Sequence, residues 1–130
     1  MSRYKFKNRK FPREFKKVVE YIQKTKGVTV LLGHDTLFNG HFSREIIIHH
    51  NFDLNGNGLY ALLRGCGEVY QPPITPFTTL YEKYIRELEA WERGLQIARE
   101  LKLKIDESKY KEEQGRVFTE KFIKIKSENH

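Results

Sequence analysis

Leu59-Tyr60-Ala61-Leu62-Leu63-Arg64-Gly65-Cys66-Gly67-Glu68-Val69-Tyr70-Gln71 decides how the rest of this 130-residue chain is read. Leu59, Leu62, Leu63, Cys66 and Tyr70 recur at helical spacing and so make one buried stripe. Arg64 and Glu68 are four residues apart, which sets them one turn from each other on a single helix face. Gly65 and Gly67 share one turn, and each costs a helix about 1 kcal/mol relative to alanine. Plain core packing gives no reason for two such residues together.

Outward from this helix the punctuation is clear. Asn55-Gly56-Asn57-Gly58 is a turn that delivers the chain into the helix, and Gln71-Pro72-Pro73 stops it, with Pro76 keeping the next loop extended. Upstream, Pro12 opens a helix to about Thr25 that turns Phe11 or Phe15, Val18, Val19 and Ile22 inward and ends at Gly27. Val28 to Leu32 and Arg44 to His50 are β-rich runs separated by Gly33, Asn39 and Gly40, and are expected to pair in a small sheet. Downstream, Thr79 and Glu82 form a capping box. Leu80, Tyr84, Leu88, Trp91, Leu95 and Ala98 then define a long amphipathic helix to about Leu103. Asp106 or Ser108 caps a last helix through Tyr110, Val117, Phe118 and Phe122, expected to break near Gly115. The class is α+β, with a small sheet packed on the central helix and with N-terminal and long C-terminal helices around it.

That frame resembles the zinc metallopeptidases of the gluzincin type, in particular small HExxH domains of the kind found in phage and bacterial proteins. Their motif helix typically reads L-x-x-L-L-H-E-x-G-H, and Leu59, Leu62, Leu63 and Gly67 match it. The HExGH segment itself is replaced by Arg64-Gly65-Cys66-Gly67-Glu68, so the domain looks like a degenerate member. In such proteins the third metal ligand often stands in E-x-x-A on a later helix, and Glu87-Leu88-Glu89-Ala90 has that form. The resemblance covers about residues 28 to 98 and implies a minimal zincin-like core. The length makes 1–130 one domain, with a basic segment 1–26 before this core and a helical extension 99–130 after it. Gly67 is accounted for by the family, where a glycine at that position lets a strand approach closely. The resemblance also implies that positions 64, 68 and 87 converge.

The missing chemistry follows from the side chains. Two histidines at i and i+4 present neutral imidazoles to zinc, and the glutamate between them acts as general base on the metal-bound water. Arg64 stays protonated and has no lone pair to donate, Gly65 has no side chain, and Glu68 alone is a poor zinc site. No catalytic residue is therefore expected at Arg64, Gly65, Glu68 or Glu87, and no cofactor. Arg64 is expected to stand in for the cation by a forked pair with Glu87, Glu68 or both, which offsets the cost of carboxylates left in a partly buried place. If zinc is bound after all, the fallback ligands are Glu68, Glu87 and the loop histidines His34, His41 and His49. His49 and His50 are consecutive in a regular strand and so are expected on opposite faces, while His34 and His41 flank a hairpin loop.

Composition narrows the classes further. The one cysteine excludes an internal disulfide, and Cys66 fits a small buried residue in a reducing compartment. No apolar run reaches transmembrane length and the start lacks a signal-peptide core, so a cytoplasmic protein with no membrane partner is expected, in the host cytoplasm if phage-encoded. The net charge of +7 is uneven: residues 1–26 hold ten Lys or Arg against Glu14 and Glu20, and the remaining chain sums to −1. Lys5, Lys7, Arg9, Lys10, Arg13, Lys16 and Lys17 are thus candidate contacts for a nucleic acid through residues 3–26 or for an acidic partner, with Tyr4, Phe6 and Phe11 interleaved. Three classes remain: an inactive metallopeptidase-like protein that binds a protein or peptide, a small basic nucleic-acid-associated protein, and a metal enzyme with unconventional ligands.

Overall fold

The computed structural model of the chain describes residues 11–34, 36–38 and 44–123. Helix α1, Arg13–Lys26, starts after Pro12, whose fixed φ and missing N–H suit a helix entry. It ends on Gly27 at φ 64°, a left-handed residue whose amide reaches the Gln23 carbonyl at 2.9 Å while the Val28 amide reaches Ile22. Phe15, Val18 and Ile22 are fully buried, and Phe11 and Val19 pack at the edge of the core.

Strands β1, Thr29–Gly33, β2, Leu37–Phe38, and β3, Glu45–His49, form one sheet in the order β1-β3-β2. The two long strands pair as expected but in parallel, Val30 opposite Ile46 and Leu32 opposite Ile48, and the antiparallel partner of β3 is the short β2. The hairpin therefore lies between β2 and β3. The reason is visible in β3 itself, where Ile46, Ile47 and Ile48 are all buried with no alternation. A strand apolar on both faces belongs in the centre of a covered sheet, where it needs a neighbour on each edge.

Helix α2, Asn57–Val69, carries the stretch read first, and helix α3, Leu80–Glu100, packs along it. Leu59, Leu62, Leu63 and Cys66 are buried as the spacing requires; Tyr70 caps the helix and is half-buried. The two glycines thin α2 on different sides. A methyl at Gly67 would lie 2.1 Å from the Ala90 carbonyl oxygen, so it is helix α3, and not a strand, that takes the space there. A methyl at Gly65 would meet the Ile46 side chain of β3 at 3.3 Å, so the sheet approaches at Gly65 instead. Gly94 repeats the close approach from the other helix, since a methyl there would lie 2.6 Å from the Leu63 carbonyl oxygen. Leu63 with Gly94 and Gly67 with Ala90 are pairs one helical turn apart in opposite order, so the helices run antiparallel in near backbone contact.

Helix α3 opens on the Thr79/Glu82 capping box, with the Thr79 hydroxyl accepting from the Glu82 amide at 3.1 Å and the Glu82 carboxylate accepting from the Thr79 amide at 3.0 Å. Its buried residues begin only at Glu87; Leu80 and Tyr84, expected on the inner stripe, are exposed because α2 has already ended at Val69. The helix closes at Glu100, short of Leu103, where Lys102 takes a left-handed conformation. Helix α4, Glu107–Phe118, is capped by the Asp106 carboxylate. It runs unbroken through Gly115 into a π-helical turn, Thr119–Ile123. Arg116 bridges Glu113 and Glu120 across that glycine, at 2.8 and 2.7 Å. Among the described residues no helix is long and apolar enough to cross a membrane.

Candidate functional site

Arg64, Glu68 and Glu87 meet where α2 and α3 lie side by side. Arg64 forks onto Glu87, Nε donating to Oε2 at 2.7 Å and Nη2 to Oε1 at 2.9 Å, and Nη2 also lies 2.7 Å from Glu68 Oε1. Two further donors complete the shell of Glu87. The Trp91 indole N–H donates to Oε2 at 2.8 Å, from one turn further along α3. Lys121 Nζ donates to Oε1 at 2.7 Å from the π-helical turn. Glu87 is only 3% exposed, and it is the sole charged residue counted in the core among the described residues.

A carboxylate in such a place is tolerable only with its lone pairs met and its charge opposed. Burial pushes the Glu87 carboxyl up, but the hydrogen bonds and charge of Arg64, with Lys121 adding to both, outweigh it and bring it down to about 2. Burial likewise opposes the charge of Arg64, yet its pairs with Glu87 and Glu68 hold the guanidinium protonated even more firmly than usual.

This makes acid sensitivity a direct readout. The unfolded chain protonates Glu87 near 4.5 and the folded chain only at about 2. Stability from the pair is therefore complete above 4.5 and is lost as pH falls from there through about 2. The loss amounts to on the order of 3 kcal/mol. Denaturant unfolding between about pH 5 and pH 2, followed by the fluorescence of the single tryptophan, should show the parent protein losing that much more than Glu87→Gln. Equal losses would mean that Glu87 titrates like a surface carboxylate.

The cluster also divides two hollows. On one side is a cavity of about 240 Å³ walled by Ile46 and Ile48 of β3, Ala61 and Gly65 of α2, Trp91 of α3 and Val117 of α4. On the other is an outer groove of about 370 Å³. Arg64, Glu87 and Lys121 line both. Helix α4 and the turn after it thus close over the cavity, and Lys121 fastens them to its floor.

The residues present do not suit zinc. Of the three converging side chains one is a protonated guanidinium with no lone pair, and the oxygens of Glu87 are occupied by Arg64, Trp91 and Lys121. Of the fallback histidines, His34 and His49 do not join this cluster. His34 and His49 gather with His50 near the end of the sheet, and His41 lies outside the described residues. Strand β3 ends at His49, so His49 and His50 are not on opposite faces: their rings stack 4.9 Å apart at 15°, with His34 edge-on to His50 at 5.1 Å. Stacked rings aim their lone pairs side by side, and His49 Nδ1 already accepts from the Asn51 amide at 3.1 Å. Among the described residues no three His, Cys, Asp or Glu side chains are placed to share an ion.

Cys66 is fully buried, and burial pushes its thiol well above the ordinary range, which leaves no reactive thiolate. Of the basic contact candidates, Lys5, Lys7, Arg9 and Lys10 lie outside the described residues. Arg13, Lys16 and Lys17 share the outer face of α1; the first two are exposed and Lys17 lies 3.7 Å from Glu14. Sequence reasoning missed two donors of the site. Trp91 was read as core, although a residue four after Glu87 on a helix is within reach of its carboxylate. Lys121 carries no signal at all, because it lies 34 residues from Glu87 and beyond the expected break.

Comparison with protein-family models, with curated proteins and with solved structures finds no match to this chain.

Proposed function

We propose that this protein is a metallopeptidase-like scaffold without zinc chemistry, which acts by binding a protein or peptide partner. The observation that carries the proposal is the convergence of Arg64, Glu68 and Glu87 at positions where the motif resemblance would place metal ligands, with Arg64 supplying the positive charge. Hydrolysis needs a base beside an activated water, and position 65 offers no side chain for the role. A hollow bounded by sheet, two helices and a covering segment suits recognition, since concave, mostly apolar sites with a few placed polar groups are where ligands seat. The single buried thiol is in keeping with a reducing, cytoplasmic setting.

Elemental analysis of protein purified without a metal-binding tag, before and after incubation with zinc and dialysis, tests this. Near-zero zinc in both folded samples is expected. Retention of about one equivalent, the stoichiometry of a single site, would overturn the proposal and turn attention to Glu68 and Glu87 as ligands.

A further inference from the structure

Every large apolar side chain that is exposed among the described residues lies in one stretch: Ile74, Phe77, Leu80, Tyr81 and Tyr84. Scattered singly such residues are ordinary, but these five fall within eleven positions, with Tyr84 edge-on to Phe118 and Phe122 and Phe77 standing 89% exposed. The loop that carries them is held in shape. Pro72, Pro73 and Pro76 restrict it, the Thr75 amide donates to the Thr78 hydroxyl at 3.0 Å, and the Phe77 amide donates to the Thr75 hydroxyl at 3.2 Å. Arg86 ties it to α3 by donating to the Pro72 carbonyl at 2.6 Å, and Gln71 donates to the Arg86 carbonyl at 2.7 Å. A loop already ordered loses little conformational freedom when something docks on it.

The outer groove adjoins this loop and shares Ile74 with it. Its charged lining is Arg64, Lys83, Arg86 and Lys121 against Glu68 and Glu87. Both carboxylates are taken up by Arg64 and Lys121. Lys83 and Arg86 have no carboxylate partner among the described residues, so the groove presents two uncompensated positive charges beside an apolar wall. We infer that this groove and loop are the docking site for an acidic segment of a partner protein, with carboxylates on Lys83 and Arg86 and apolar side chains on Ile74 and Phe77. The inference rests on the partner-binding reading above and gives that partner a chemistry. A second copy is disfavoured because a two-fold contact would set this positive groove against its own image. Two cations are too few for a phosphate backbone, whose binding draws on many.

The probe is a short synthetic peptide of Glu and Asp interspersed with Leu and Phe, titrated into the isotope-labelled protein, with a Lys-for-acid version as control. Amide shifts should fall between Gln71 and Glu87, and only with the acidic peptide. Affinity should drop about tenfold or more in Lys83→Glu and in Phe77→Ser, whose exposed positions leave the fold intact, and should weaken with salt. Equal binding of the basic peptide, or no shifts at millimolar peptide, would overturn the inference. So would sedimentation showing self-association abolished by Phe77→Ser, or capture by phosphatidylserine vesicles without peptide binding. Shifts at Ile46, Ala61 and Val117 instead would move the partner into the cavity, leaving the partner-binding reading in place; retained zinc in the metal assay would do the reverse.

Discussion

Arg64→Ala should lower folding stability by about 3 kcal/mol, the low end of what removing one partner of a buried ion pair costs. Without the guanidinium, Glu87 would keep the Trp91 indole and Lys121, but Lys121 is 49% exposed, so water screens its charge. The carboxylate would then lose its fork and most of its countercharge while remaining buried. Arg64→Lys should fall between the two, because an ammonium keeps the charge but cannot make two parallel hydrogen bonds and still reach Glu68. Arg64→His should not create hydrolytic activity, since position 65 would still lack a base. Urea unfolding at neutral pH followed by Trp91 fluorescence decides the matter. A loss under about 0.5 kcal/mol for the alanine variant, the size of an ordinary surface change, would sink the buried bridge.

Gly67→Ala should be as damaging, for a different reason. The added methyl would sit 2.1 Å from the Ala90 carbonyl oxygen, a backbone atom on a packed helix that has no side-chain freedom with which to yield. Overpacking against backbone at this distance lies at or beyond the top of the usual range of about 1–3 kcal/mol, and the roughly 1 kcal/mol of helix propensity gained from alanine does not offset it. A net loss of about 2 kcal/mol or more is expected in thermal or urea unfolding. Gly65→Ala is the internal comparison: its methyl meets the Ile46 side chain at 3.3 Å, and a side chain can shift by that little. It should cost less than about 1 kcal/mol. If Gly67→Ala proved at least as stable as the parent, the close crossing of α2 and α3 would be wrong.

Local chemistry made much of this architecture readable in advance. Pro12, Gly27, Thr79 with Glu82, and Asp106 mark helix ends through dihedral preference and capping, which depend only on neighbours in sequence. The meeting of Arg64 with Glu68 was available from helical spacing, and its meeting with Glu87 only from the motif resemblance. Other features hinge on partners far along the chain. Parallel pairing of β1 with β3 depends on which edge the short β2 takes, and two residues of strand leave almost no periodic signal. Leu80 and Tyr84 have helical spacing like Leu88 and Trp91, but whether a stripe is covered depends on where the facing helix stops. Gly115 was expected to break α4 because glycine weakens a helix, yet the Arg116 ion pairs to Glu113 and Glu120 hold the helix together around it. A glycine in sequence also does not say which neighbour it admits: Gly67 admits a helix and Gly65 a strand.

The two close approaches, Leu63 to Gly94 and Gly67 to Ala90, act as a pair of stops. One alone would let α3 pivot about it; two, a turn apart on each helix, forbid both rotation and sliding by a residue. The frame that carries positions 64, 68 and 87 is therefore set by backbone fitted against backbone, with no contribution required from whatever lies between the helices. A scaffold locked in this way can trade one central side chain for another and hand each newcomer the same fixed geometry.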